Sequence, residues 1–110
     1  MQIDEEKLKI IQQIIQKHLA NSKLKGELIA DELGVSRMTI HRLLKRTIAQ
    51  NAREYILHNR IKYAQKQLLT TTKYIYQIAQ EVGYLDAQQF AKVFKKMTGM
   101  SPSQFRKSKR

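Results

Sequence analysis

A six-residue string that occurs twice restricts this chain more than any other feature. Ile29-Ala30-Asp31-Glu32-Leu33-Gly34 returns as Ile78-Ala79-Gln80-Glu81-Val82-Gly83. Four of the six residues are identical, and a fifth exchanges one aliphatic side chain for another. Each copy is followed by a turn and then by a segment studded with basic and amide side chains. An internal repeat of this kind means that one structural unit is used twice.

Charge separates the chain differently. Residues 1–35 carry five Lys and six Asp or Glu, a net −1; residues 36–110 carry sixteen Lys or Arg against Glu54, Glu81 and Asp86, a net +13. A field of that sign and placement favours a polyanion, nucleic acid first. An anionic membrane surface is the competitor, but it needs a helix with a free apolar face, and the apolar faces here are read as core. No apolar run approaches the length of a membrane span. The acidic start, Asp4-Glu5-Glu6, contains no apolar signal core. With no cysteine, disulfides, thiolate metal sites and cysteine nucleophiles are excluded, and the composition fits a cytoplasmic protein. At 110 residues the chain is one domain or two small subdomains.

Helical periodicity accounts for the whole length. The first helix is predicted over 5–20, with Asp4 as its N-cap and Leu8, Ile11, Ile15 and Leu19 facing inward. A short helix over 27–33 ends at Gly34, which tolerates the left-handed conformation. Ser36 caps the next helix, which turns Ile40, Leu43 and Leu44 inward. Ala30 permits close helix contact, Gly34 makes the turn, and Ile40 plugs the joint. That spacing is a helix-turn-helix. An ordinary αα-corner uses similar residues, but two copies, each followed by a basic helix, favour the helix-turn-helix. Asn51 and Glu54 form a capping box for a long helix to about Leu69, which spans about 27 Å and buries Tyr55, Ile56, Ile61, Ala64, Leu68 and Leu69. Beyond Thr70-Thr71-Thr72, a helix over 74–82 buries Ile75, Ile78, Ala79 and Val82. Tyr84 and Leu85 lengthen the second turn by one residue. Asp86 caps a helix with Phe90, Val93, Phe94 and Met97 on its core side, and Gly99 ends it. Ser101 and Pro102 open a last short helix anchored by Phe105, and the basic tail from Arg106 is expected to fray. The expected fold is all-α: seven helices, with two helix-turn-helix units joined by a long linker helix. Residues 1–50 form the first subdomain, 51–69 the linker and 70–110 the second subdomain.

The span from Leu28 to Arg106 resembles the DNA-binding domain of AraC/XylS-type transcription regulators. The resemblance rests on Arg60, Ala64 and Leu68-Leu69, then Ile75, Ile78-Ala79, Val82-Gly83-Tyr84, Asp86, Phe90, Phe94-Lys95-Lys96, Thr98-Gly99, Ser101-Pro102 and Phe105-Arg106. It implies seven helices, the number read from the residues themselves. There are departures. Ile48-Ala49 stands where the family often keeps Thr-Gly, which predicts a tighter or longer helix end there. Tyr74 stands where a small capping residue is usual. The resemblance also implies contact with RNA polymerase and a sensing, receiver or dimerisation domain, which this sequence does not contain.

Removing core positions from the first reading helix leaves Arg37, Met38, Thr39, His41, Arg42, Lys45 and Arg46. The resemblance places Met38 and Arg42 at base-reading positions with His41 beside them. On the second helix it places Gln88 and Lys92 there, flanked by Ala87 and Gln89. The chemistry agrees: Arg42 and Lys92 can donate to guanine, Gln88 can pair with adenine, and Met38 can touch a thymine methyl. Phosphate contacts are assigned to Ser36, Arg37, Thr39, Lys45, Arg46, Asp86, Lys95, Lys96 and Ser101. The lysines and arginines act through charge, and Ser36, Asp86 and Ser101 through amides that begin helices. Asn51 begins a helix in the same way. No catalytic group, metal site or cofactor is expected, because His18, His41 and His58 have no partners at the spacing of a metal site or triad. The expected function is sequence-specific binding of double-stranded DNA, with two reading helices in successive major grooves. A non-specific architectural nucleic-acid-binding protein is the alternative, and it requires only the charge.

Overall fold

The structure, a computed structural model, describes residues 2–109. The described elements are seven helices and no strand: α1 (Gln2–Lys17), α2 (Gly26–Leu33), α3 (Arg37–Ile48), α4 (Ala52–Thr70), α5 (Ile75–Glu81), α6 (Ala87–Thr98) and α7 (Pro102–Ser108). They form two compact units. Unit 1 holds the chain up to His18 together with Lys23–Asn59; unit 2 holds Leu19–Ser22 and the chain from Arg60 onward. The first turns of α4 therefore belong to unit 1 and the remainder to unit 2.

In unit 1, α1, α2 and α3 pack on one another. Their core is aliphatic: Ile11, Ile15, Ile29, Ile40 and Leu44 are all at most 1% exposed. Each such side chain contributes about 1.5–3 kcal/mol by leaving water. The start of α1 differs from expectation. The helix already begins at Gln2, so Asp4 lies within it and does not cap it; its carboxylate is held by Arg46. Ser36 caps α3 as expected, its Oγ accepting from the Thr39 N–H at 3.1 Å. Asn51 and Glu54 exchange their capping-box bonds at 2.8 and 3.0 Å.

In unit 2, α5, α6 and α7 pack around an aromatic core. Tyr84, Phe90, Phe94 and Phe105 form a chain of ring contacts with centroids 5.5–5.7 Å apart. Asp86 caps α6 by accepting from the Gln88 N–H at 2.8 Å. Ser101 and Gln104 form a capping box on α7, with Pro102 at its start. At α5 the Tyr74 N–H donates to Gln77 Oε1 at 2.9 Å, so a residue three positions on serves the helix start. Several expectations need correction. Leu69 and Met97, expected inside, are 39% and 42% exposed, and Ile75 and Val93 are only half-buried. The segment at Arg106 does not fray: its guanidinium donates from Nε to the Leu68 carbonyl at 3.0 Å and from Nη2 to the Thr71 carbonyl at 3.3 Å. These carbonyls, at the end of α4, have no partner within the helix.

The repeated string makes the same turn twice. Val35 N–H donates to the Ala30 carbonyl at 3.0 Å and Gly34 N–H to that of Asp31 at 3.2 Å. Tyr84 N–H donates to Ala79 at 2.9 Å and Gly83 N–H to Gln80 at 3.1 Å. Both are Schellman closures with glycine in the left-handed conformation, φ 69° at Gly34 and 89° at Gly83. They differ in surroundings. A Cβ at Gly34 would meet nothing within 4 Å, whereas one at Gly83 would lie 2.8 Å from the Leu19 carbonyl oxygen and from the Arg60 guanidinium. Ala49 corrects another expectation. It takes the left-handed conformation, φ 56°, that Gly99 takes in the second copy at φ 85°. The end of α3 is therefore neither tighter nor longer; an alanine simply occupies a conformation that costs it about 1–2 kcal/mol.

Two stability measurements follow from these backbones. Ala49→Gly raises the urea midpoint by the equivalent of about 0.5–1 kcal/mol, the relieved strain less the added freedom of the unfolded chain. Gly34→Ala and Gly83→Ala both destabilise, by about 1 kcal/mol at Gly34 and by clearly more at Gly83; equal losses would contradict the close approach to Leu19.

Candidate nucleic-acid interface

The caps orient α3 and α6 so that their apolar residues face the core and the remainder faces outward. On α3, Arg37, Met38, Thr39, His41, Arg42, Lys45 and Arg46 are all exposed. Met38 is 55% exposed, so a thioether stands among cations with no core to fill. On α6, Gln88, Gln89, Lys92, Lys95 and Lys96 are exposed, and Ala87 is half-buried. Lys45 and Arg46 precede the end of α3 as Lys95 and Lys96 precede the end of α6. In both helices these cations meet the negative end of the helix dipole.

The outward side chains are not equally free. Among the described residues, Arg42, Lys45, Lys92, Lys95 and Lys96 form no ion pair. Arg37 instead holds Glu27, Nη1 to Oε1 at 3.0 Å. Arg46 grips Asp4 with two donors, Nε to Oδ2 at 2.7 Å and Nη2 to Oδ1 at 3.1 Å. This pair raises the Arg46 pKa and holds the Asp4 carboxyl below the usual carboxylate range, chiefly through the hydrogen bonds. The Ser36 and Thr39 hydroxyls are bonded to each other at 2.9 Å. At Ser101 the backbone N–H already donates to Gln104 Oε1 at 3.0 Å, and at Asn51 to Glu54 Oε1 at 3.0 Å. Neither of those two amides is left for a phosphate. His18 and His58 are also engaged, with Glu32 and with Gln50.

One residue of this surface is missed by the sequence reading. Beside the start of α3 lies an open cavity of about 610 Å³, lined in part by Arg37, Met38, His41, Asn51 and Arg53. Arg53 is exposed in the first turn of α4. A cation there opposes the helix dipole, and that misplacement was the available signal.

Two helix-turn-helix units, each presenting an exposed face of cations and amides, define a DNA-binding domain. The family model described as a helix-turn-helix domain matches residues 29–108. Regulatory protein SoxS of Escherichia coli K12 is 31% identical over 101 residues, covering 89% of this chain and 94% of SoxS. The solved C-terminal domain of AraT, a response regulator from Geobacillus stearothermophilus, is 35% identical with a TM-score of 0.81, covering 89% of this chain and 81% of that one. The DNA-binding domain of AdpA, solved in complex with a target DNA, shares the fold at 20% identity and a TM-score of 0.78, covering 89% of this chain and 87% of that one. The chain belongs to the AraC/XylS-type family of DNA-binding domains, the sequence-specific DNA-binding part of transcription regulators. It spans only 31% and 8% of two longer curated relatives, the Msm operon regulatory protein of Streptococcus mutans and histidine kinase P4 of Formosa agariphila. Among the described residues, no helix is long and apolar enough to cross a membrane.

The ion pairs give stability a defined pH dependence. The Asp4 and Glu32 carboxyls are both held low in the folded state, first by hydrogen bonds from Arg46 and His18 respectively. Their contribution is complete above the unfolded carboxylate range, about pH 4, and disappears as pH falls through the depressed folded values. Asp4→Asn therefore has a lower urea midpoint than the parent chain at pH 7. Its midpoint falls less between pH 5 and 3, and parallel curves would show that the Asp4 pair contributes nothing.

Proposed function

We propose that both units read DNA, α3 and α6 entering successive major grooves of an asymmetric, two-part site. The observation that carries this reading is the equivalence of the two helices. Both follow the same turn, both have side-chain N-caps, and both present amide, thioether or cationic side chains where a core residue is absent. Met38, His41 and Arg42 read bases in one half-site, and Gln88, Gln89 and Lys92 in the other. Arg42 and Lys92 donate to guanine O6 and N7, and Gln88 pairs with adenine N6 and N7.

Lys45, Lys95 and Lys96 bind phosphates, and Arg53 joins them beside the cavity at α3. Ser36, Arg37, Thr39, Arg46, Asp86 and Ser101 lie along the backbone path. The caps at Ser36, Asp86 and Ser101 set the helix starts that meet it. The two reading helices differ in sequence, so the half-sites differ. The domain acts as the output module of a cytoplasmic transcription regulator whose sensing, receiver or dimerisation domain lies outside this sequence. RNA polymerase is its second partner. It carries out no catalysis.

The test compares cognate with random duplex, the cognate obtained by selection from a random library at near-physiological salt. Arg42→Ala loses about 1–3 kcal/mol on the cognate, confined to one base position, and little on random DNA. Lys95→Ala weakens both duplexes alike and lowers the salt slope by about 1. Equal loss on both duplexes for Arg42→Ala, with no enriched motif, would instead establish a non-specific architectural binder.

A further inference from the structure

The two units share a fold but not an electrostatic character. Unit 1 carries ten Lys or Arg and seven Asp or Glu, a net +3, while unit 2 carries eleven and two, a net +9. Two of the acids of unit 1 stand against the ends of α3. Asp4 comes from α1 and Glu27 from α2, and each engages an arginine near an end of α3. The Asp4 carboxylate occupies the Arg46 guanidinium through two parallel bonds, the arrangement in which a phosphate would bind it. Glu27 holds Arg37 through one bond from Nη1 to Oε1, while its other oxygen faces Lys25 Nζ at 3.6 Å.

Unit 2 has neither device. Tyr76 stands at the position of Glu27 in the second repeat, Ala87 at that of Arg37, and Lys96 at that of Arg46. Lys96 forms no ion pair among the described residues.

We propose that Asp4 and Glu27 are specificity-determining residues that act as built-in phosphate surrogates, withholding Arg46 and Arg37 from the DNA backbone. An arginine that already holds a carboxylate must exchange one anion for another, so it gains little from a phosphate and releases few counterions. Unit 1 is thereby left with a sequence-independent grip reduced to such cations as Lys45 and Arg53, and its binding depends more on Met38, His41 and Arg42 meeting the right bases. Unit 2, whose Lys95 and Lys96 form no ion pair among the described residues, supplies the larger share of the salt-sensitive attraction to any duplex. The inference rests on the DNA-reading function proposed above and assigns a role to residues outside both reading helices.

The test measures the salt dependence of binding to a random-sequence duplex, using the full chain and the variants Asp4→Asn, Glu27→Gln and Glu6→Gln. Glu6 is exposed and takes part in none of these pairs, so its variant controls for the loss of one negative charge. Asp4→Asn and Glu27→Gln each steepen the slope of log K against log salt by about 0.9 and tighten random-duplex binding several-fold at low salt. The ratio of cognate to random affinity falls in both, and Glu6→Gln leaves the slope as it was. Slopes unchanged in both variants, or shifted equally in all three, overturn the proposal. Should Asp4→Asn fail to fold by circular dichroism, Glu27→Gln, which breaks a more exposed pair, decides alone. If the parent chain shows no salt-sensitive DNA binding at all, the DNA-reading function fails, and this inference with it. If the parent binds normally and the variants match it, only this inference fails.

Discussion

Everything in each unit depends on a short turn closed by two hydrogen bonds. The carbonyls of Ala30 and Ala79 each accept an N–H from five residues on. This closure puts the residue just before the donor, Gly34 or Gly83, into a left-handed conformation, which glycine adopts without strain. The chain then leaves at a fixed angle, and the following helix meets its cap two or three residues later. Because Ala30 and Ala79 are buried and small, the two helices can approach closely at that point. The extra residue in the second turn is absorbed outward: Leu85 is 90% exposed, so the insertion changes the surface of the turn and leaves its closure intact.

The string also conserves a function within itself that its hydrophobic residues do not reveal. Glu32 and Glu81 occupy the same position in the two copies. Glu32 takes His18 at the end of α1, and Glu81 takes Lys73 just before α5 at 2.8 Å. Each glutamate ties its short helix to the segment preceding it. Unit 2 adds two arginines in structural roles. Arg60 donates to the Asn21 carbonyl at 2.6 Å and lies over the Tyr84 ring at 5.9 Å; burial lowers its pKa. Arg106 closes the end of α4. Neither guanidinium faces outward as those of α3 do, so the high count of basic residues overstates the charge available to a ligand.

The repeat, the glycines, the caps at Ser36, Asp86 and Ser101 and the inward faces of α3 and α6 were legible in the sequence because each is a local pattern with a local cause. Capping and periodicity act over four or five residues, and a single sequence contains all that they need. What was not legible depends on residues far apart along the chain. Asp4 was read as a cap because it stands among early acids, but its partner lies 42 residues away. Arg106 was read as part of a frayed tail because only the tertiary fold brings it to Leu68. Met97 and Leu69 fit the helical stripe yet lie at its edge, where periodicity alone does not separate half-covered from buried. Ala49 departed from expectation for a different reason: the helix end is set by the fold, and the residue accepts the strain.

A duplicated scaffold poses a specific problem for a DNA-binding protein. If both copies attracted phosphates equally, the sequence-independent grip would grow with every added cation, while discrimination would come only from the few base contacts. The two units resolve this unequally. In unit 2 the lysines of α6 form no ion pair among the described residues, and Arg60 and Arg106 are turned to structural use. In unit 1 the arginines at the ends of α3 are retained but met by carboxylates, and between them lie Met38, His41 and Arg42, whose chemistry suits base edges. The same fold thus appears once in an attractive form and once in a restrained one. The difference lies not in the turn, the caps or the core, but in acids placed on neighbouring helices: Glu27, where the second copy has Tyr76, and Asp4 on α1.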